Sequence, residues 1–190
     1  ELINFSKKNI DYTILAPISD DAKYPNYKVK NENMINDKLD YLNVDSVDGF
    51  AMLLNKKKFK NNLYFDENFF LYLENDDLCF RKKKETNDIY VSKNAKINHL
   101  GGKSPSPIYA KEIEYSRNWH WMWSKFYYNV KHHGYLIALL KTFPSMIGSL
   151  IKIIFYFLIF NRYKKKIYLM RFLGLLNSML GKSSWYRPRI

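Results

Sequence analysis

The sequence predicts an α/β domain over residues 1–108, followed by a helical, basic and amphipathic tail over residues 109–190. Three observations carry this prediction. Short runs rich in β-branched and aromatic residues alternate with helical spacing in the first part. Long stretches of helical spacing, rich in Trp, Phe, Leu and Ile, fill the second. The charge is also split. Residues 1–110 hold 17 Lys and Arg against 16 Asp and Glu, whereas residues 111–190 hold 14 against 2. The formal charge of +13 therefore belongs almost entirely to the tail.

Residues 1–10 read as the end of an amphipathic helix with Leu2, Ile3 and Phe5 apolar. Residues 12–16 are a short β-rich run closed by Pro17. Residues 19–43 are polar, with Asp20, Asp21 and Pro25, and read as a loop or excursion with room for an edge hairpin. Between Val44 and Leu54 a loop enters a buried strand, and Gly49 marks a close backbone approach. Lys56, Lys57 and Lys58 make a solvated turn or helix start. Helical spacing begins at Glu74, with Asp77, Leu78 and Arg81 three, four and seven residues on. Acids at that start and lysines at 82–84 suit the two ends of a helix dipole. Residues 89–91 and 95–97 are two short strand-like runs, and residues 99–107 a loop.

Residues 109–133 read as a helix carrying Trp119, Trp121 and Trp123. The tryptophans fit core or interface anchors better than sugar platforms. His120, His132 and His133 read as surface or helix-end residues. Residues 146–160 are apolar apart from Ser149 and Lys152, but these 15 residues fall short of the roughly 20 that span a bilayer. Extension back to Gly134 meets Lys141 and Pro144. Arg162 and Lys164, Lys165 and Lys166 follow, then a second amphipathic run over 167–180.

Hydrophobic residues make up 47% of the chain, which excludes a disordered polymer. Basic residues set among bulky aliphatic and aromatic ones suit an anionic membrane surface and argue against nucleic acid as the partner. Cys79 is the only cysteine, so there is no intrachain disulfide, and it reads as a small buried hydrophobe.

The densest chemistry lies in residues 65–81. Asp66, Glu74, Asp76 and Asp77 sit close together, directly after Phe69, Phe70, Leu71 and Tyr72. An apolar-walled carboxylate is a good general base. The same acids also fit a helix N-terminus balanced by residues 81–84.

In order along the chain stand Asp48-Gly49, Phe65-Asp66-Glu67, Phe70-Leu71-Tyr72, Glu74 with Asp77-Leu78-Cys79 and Arg81, and His99 with Gly101, Gly102 and Ser104. Over about residues 12–120 this pattern resembles the second half of family 2 glycosyltransferases, closest to the rhamnosyltransferase-like enzymes that build bacterial surface polysaccharides. The resemblance implies the C-terminal portion of a GT-A, Rossmann-like fold. It implies inverting transfer from a nucleotide-diphosphate sugar to a lipid-linked or polysaccharide acceptor. The base would lie among Asp77, Glu74 and Asp76, with the first two favoured jointly. Substrate contacts would come from Asp48, Gly49, Lys103, Ser104 and Arg81.

By the same resemblance, His99 would ligate a divalent cation, Mn²⁺ or Mg²⁺, or touch the diphosphate; taken alone, it is equally a structural imidazole. One position departs from the family pattern. Where the family carries Glu-Asp-x-Asp, this chain has Glu74-Asn75-Asp76-Asp77, and an amide accepts no proton at neutral pH. The nucleotide-binding half, with its Asp-x-Asp metal ligands, has no counterpart in these residues, and the fragment alone is expected to be inactive. The tail, residues 134–180, would hold the protein peripherally at the cytoplasmic face of the cell membrane. A non-catalytic membrane-associated binding module is the alternative reading.

Overall fold

The computed structural model describes residues 1–7, 11–21, 23–29, 39–60, 63–99 and 107–188. Its architecture is mixed α/β, with a sheet that contains a parallel pair of strands, followed by helices. The chain divides into two compact units, Glu1–Asp66 with Glu74–Gly101 and Glu67–Leu73 with Gly102–Ile190.

In the first unit, helix α1 (Leu2–Ser6) precedes strand β1 (Ile14–Ser19). Strands β2 (Tyr27–Lys28), β3 (Tyr41–Asn43), β4 (Ser46–Val47) and β5 (Leu53–Leu54) follow, then helix α2 (Glu74–Glu85) and strand β6 (Ile89–Ile97). The main sheet has the order β3-β6-β1-β5. β1 and β6 are parallel, and β3 and β5 flank them antiparallel. β2 and β4 form a separate antiparallel ribbon. Ile14, Leu15 and Ala16 are fully buried in succession, as expected of an inner strand covered on both faces. Ile89, Val91, Leu42, Val44, Val47, Leu78 and Cys79 complete the core.

Two strand expectations change. β1 does not close at Pro17 but runs on to Ser19, and 89–91 and 95–97 are one strand. The reason is a single irregularity. Pro17 pairs with Ser92, after which the register jumps so that Ile18 faces Lys96. Proline has no N–H for the ladder, so the pairing slips at that point. Buried Asn26 bridges the slip: its Nδ2 donates to the Pro17 carbonyl at 2.8 Å, and its Oδ1 accepts from the Ser19 N–H at 2.8 Å.

The second unit contains α3 (Ala110–His133), α4 (Tyr135–Leu158) and α5 (Arg162–Met179). Gly134, at φ +85°, ends α3, and its N–H donates to the Val130 carbonyl at 3.0 Å. Asn161 caps α5, its Oδ1 accepting from the Lys164 N–H at 3.0 Å. Met122, Phe126, Ala138 and Leu175 form the core where the three helices meet. Trp119 and Trp123 are buried, whereas Trp121 is 39% exposed.

The expected break in the apolar segment is absent. α4 is one continuous helix of 24 residues through Lys141 and Pro144, about 36 Å long at the standard rise. Lys141 and Pro144 both lie on its exposed side, so the proline removes one backbone hydrogen bond without a clash in the core. Leu136, Leu140, Phe143, Ile147, Ile151, Ile154 and Leu158 form an exposed apolar row along it. By length and composition α4 is sufficient to cross a membrane.

His120 is also corrected. It is fully buried rather than superficial. Nε2 lies 2.8 Å from the Tyr186 carbonyl, which only accepts, so Nε2 carries the proton. Nδ1 then accepts from the Ser184 hydroxyl at 2.9 Å. Burial pushes the imidazole from its ordinary 6.5 down to about 4; Arg187 adds to this, and the Tyr186 carbonyl opposes it. The unfolded chain therefore binds a proton between these values that the folded chain refuses. Stability from this group is present above pH 6.5 and lost as pH falls towards 4. The expected loss is on the order of 3 kcal/mol, read as a falling melting temperature. His120→Gln should start less stable and flatten that part of the profile; a profile parallel to wild type would refute the assignment.

Candidate functional site

The start of α2 and the end of β4 meet through Asn75. Its Nδ2 donates to the Val47 carbonyl at 2.9 Å. Gly49 lies against the same side chain, so that a Cβ there would sit 3.3 Å from the Asn75 Cβ. The Asn75 amide is thus used as a donor, a role a carboxylate cannot fill. Gly49 is small because Asn75 occupies the space beside it.

The carboxylates around this junction have distinct environments. Asp76 pairs with Lys28 Nζ at 2.8 Å. Asp77 is fully buried, and its Oδ2 accepts from Arg81 Nε at 2.9 Å. Arg81 also donates through Nη2 to the Tyr64 carbonyl. Asp77 and Arg81 therefore tie the first turns of α2 to the loop before it. Glu74 differs: its Oε2 is buried and has no hydrogen-bond partner among the described residues. Buried polar atoms are nearly always paired, and an unpaired one calls for an explanation.

Asp48 has an exposed side chain, but the crowding around its carboxyl removes enough water to hold it above the ordinary carboxylate value. Lys28 and His99 oppose that shift, and Asp76 reinforces it. His99 is exposed and stacks flat on Phe50, with centroids 4.2 Å apart and planes 3° from parallel. Lys28, Asp76 and His99 thus all act electrostatically on Asp48, the residue before Gly49. Cys79 is fully buried, its thiol pushed up to about 11 by burial, so it is no nucleophile.

Comparison with protein-family models, curated proteins and solved structures gives no match.

Among the described residues, no group of three or more His, Cys, Asp or Glu side chains is arranged to hold a metal ion. The resemblance takes only His99 from these residues for its divalent cation and places the main Asp-x-Asp ligands in the half that has no counterpart here. Lys103 and Ser104 lie outside the described residues. The segment Phe69 to Tyr72, expected to wall the acid cluster, packs within the helical unit. Phe69 meets Tyr127 edge-on, and the Leu71 carbonyl accepts from Ser124 Oγ at 2.8 Å.

Lys28 and Phe50 were not visible as site residues in the sequence. Each reaches the site through long-range structure, Lys28 by the β2–β4 pairing and Phe50 by its stack on His99.

Proposed function

We propose that this chain supplies the acceptor-side part of an inverting, GT-A-type glycosyltransferase. It would move a sugar from a nucleotide-diphosphate donor to a lipid-linked or polysaccharide acceptor at the cytoplasmic face of the membrane. The observation that carries this reading is the electrostatic action of Lys28, Asp76 and His99 on Asp48, with Gly49 packed against Asn75 in the first turn of α2, a turn in which one buried Glu74 oxygen has no partner among the described residues.

In this mechanism the acceptor hydroxyl gives its proton to the Glu74 carboxylate. The acceptor oxygen bonds to the anomeric carbon from the face opposite the leaving group. The bond from that carbon to the diphosphate oxygen breaks, and the nucleoside diphosphate departs with the electron pair. Asp77 takes no proton. Held by Arg81, it fixes the helix turn that presents Glu74. The exposed row of α4, followed by Arg162, Lys164 and Lys165, supports attachment to an anionic membrane surface.

A second reading, a membrane-associated module without catalysis, is favoured by Asn75, whose amide holds β4 instead of serving as a base. The two separate in one assay. Full-length protein is incubated with nucleotide sugars and membrane lipid extract, and nucleoside diphosphate release and product anomer are followed by NMR. Acceptor-dependent release with inverted configuration is expected. Retained configuration, or no acceptor-dependent release from any donor, would exclude inverting transfer.

A further inference from the structure

The helical unit contains a second polar constellation, built mainly on α3 and α5. Glu114, Arg117, Asn118 and Trp121 fall at i, i+3, i+4 and i+7 of α3 and so share one face. With Arg171 of α5 and Tyr72 they line a surface cavity of about 330 Å³. Two guanidinium groups therefore face one cavity beside an indole that is 39% exposed.

The hydrogen bonds orient this site. Asn118 Nδ2 donates to Glu114 Oε1 at 2.8 Å and to the Glu114 carbonyl at 2.9 Å. Asn118 Oδ1 in turn accepts from Arg171 Nη1 at 3.1 Å. One oxygen of the only lining carboxylate is thus engaged by an amide, and Arg171 is held in place. Arg117 makes no hydrogen bond or ion pair among the described residues, although it is half-buried and lines the cavity.

The backbone adds a cost. Tyr72 and Leu73 have φ of +68° and +67°, a region that side-chain-bearing residues rarely occupy. Such strain concentrates at ligand sites. Here it accompanies an edge-on contact between Tyr72 and Trp121, with centroids 5.6 Å apart at 87°.

We infer that this cavity binds a phosphate ester, with the phosphate on Arg117 and Arg171 and the attached group against Trp121 and Tyr72. Guanidinium forks match phosphate oxygens in pairs, which a point-like ammonium does not. The net positive lining selects an anion, and the aromatic wall selects one that carries a flat or apolar face. The ester can be soluble or a lipid headgroup. Binding requires no sugar transfer, so this inference stands apart from the catalytic reading.

The test uses the full chain and two probes. Glucose 1-phosphate is titrated against tryptophan fluorescence, with Trp121→Phe assigning the signal among the four tryptophans. Vesicles of phosphatidylcholine, with and without phosphatidic acid, are used in flotation. Arg117→Ala is expected to weaken the responding probe about tenfold or more, and Arg117→Lys less. Because Arg117 holds no partner among the described residues, the melting temperature of Arg117→Ala should be unchanged; Arg171→Ala is the second variant. A fluorescence response identifies a soluble ester. Flotation that depends on both phosphatidic acid and Arg117 identifies a headgroup. Binding by neither probe, equal binding of glucuronate and glucose 1-phosphate, or binding that survives loss of both arginines would overturn the proposal.

Discussion

On the proposed mechanism, replacing Glu74 with Gln is expected to lower sugar transfer about 10²–10⁴-fold while leaving the melting temperature unchanged. Gln keeps the size and planarity of the side chain but removes the proton acceptor. Among the described residues the wild-type Oε2 makes no hydrogen bond that the amide could break, so the fold has little to lose. Asp77→Asn is expected to behave differently. Asp77 is fully buried against Arg81, and removing its charge strands part of a buried pair. The expected result is a lower melting temperature, with activity lost in proportion to folded protein. The comparison separates a base from a positioning residue. If Glu74→Gln turns over at the wild-type rate, and Asp77→Asn is folded but inactive, the roles are reversed.

Local pattern carried much of the fold. The acid-to-lysine gradient of α2 and the apolar runs of β1 and β6 are visible in a short window, as is the i,i+4 spacing of Asp77 and Arg81. What escaped the sequence depends on distant partners. The slip at Pro17 needs Asn26, and β6 reads as two runs because that slip interrupts it. His120 looks like any polar residue on a helix until Ser184 and Tyr186 arrive some sixty residues later to satisfy both ring nitrogens. Pro144 reads as a break until the exposed side of α4 leaves room for it. In the candidate site, the carboxylates were legible as a group, but their differences were not: composition cannot show that Asp76 meets Lys28, Asp77 meets Arg81 and one Glu74 oxygen has no hydrogen-bond partner among the described residues. The second cavity had a readable signal, since Glu114, Arg117, Asn118 and Trp121 share one helical face. That signal needed Arg171 from α5 to become a site.

Gly174→Ala is expected to destabilise the helical unit by more than about 3 kcal/mol, against the direction that helix propensity alone predicts. In an isolated helix the exchange would stabilise by roughly 1 kcal/mol. Here α5 passes α3 so closely that a Cβ on Gly174 would lie 2.1 Å from the Trp119 carbonyl oxygen and 2.9 Å from its carbon. Both are backbone atoms inside a helix, so no side-chain rotation relieves the overlap. Trp119 cannot retreat either, because it is 1% exposed and its ring packs on Trp185 and Tyr186. α5 would have to move away as a body, pulling buried Leu175 from the core that it forms with Met122 and Phe126. Gly148→Ala in α4 provides the control, since a Cβ there meets nothing within 4 Å. Urea unfolding should show the control equal to or above wild type and Gly174→Ala far below it. Equal midpoints for the two variants would mean that α3 and α5 do not approach at this glycine, and that the packing of the helical unit is held elsewhere.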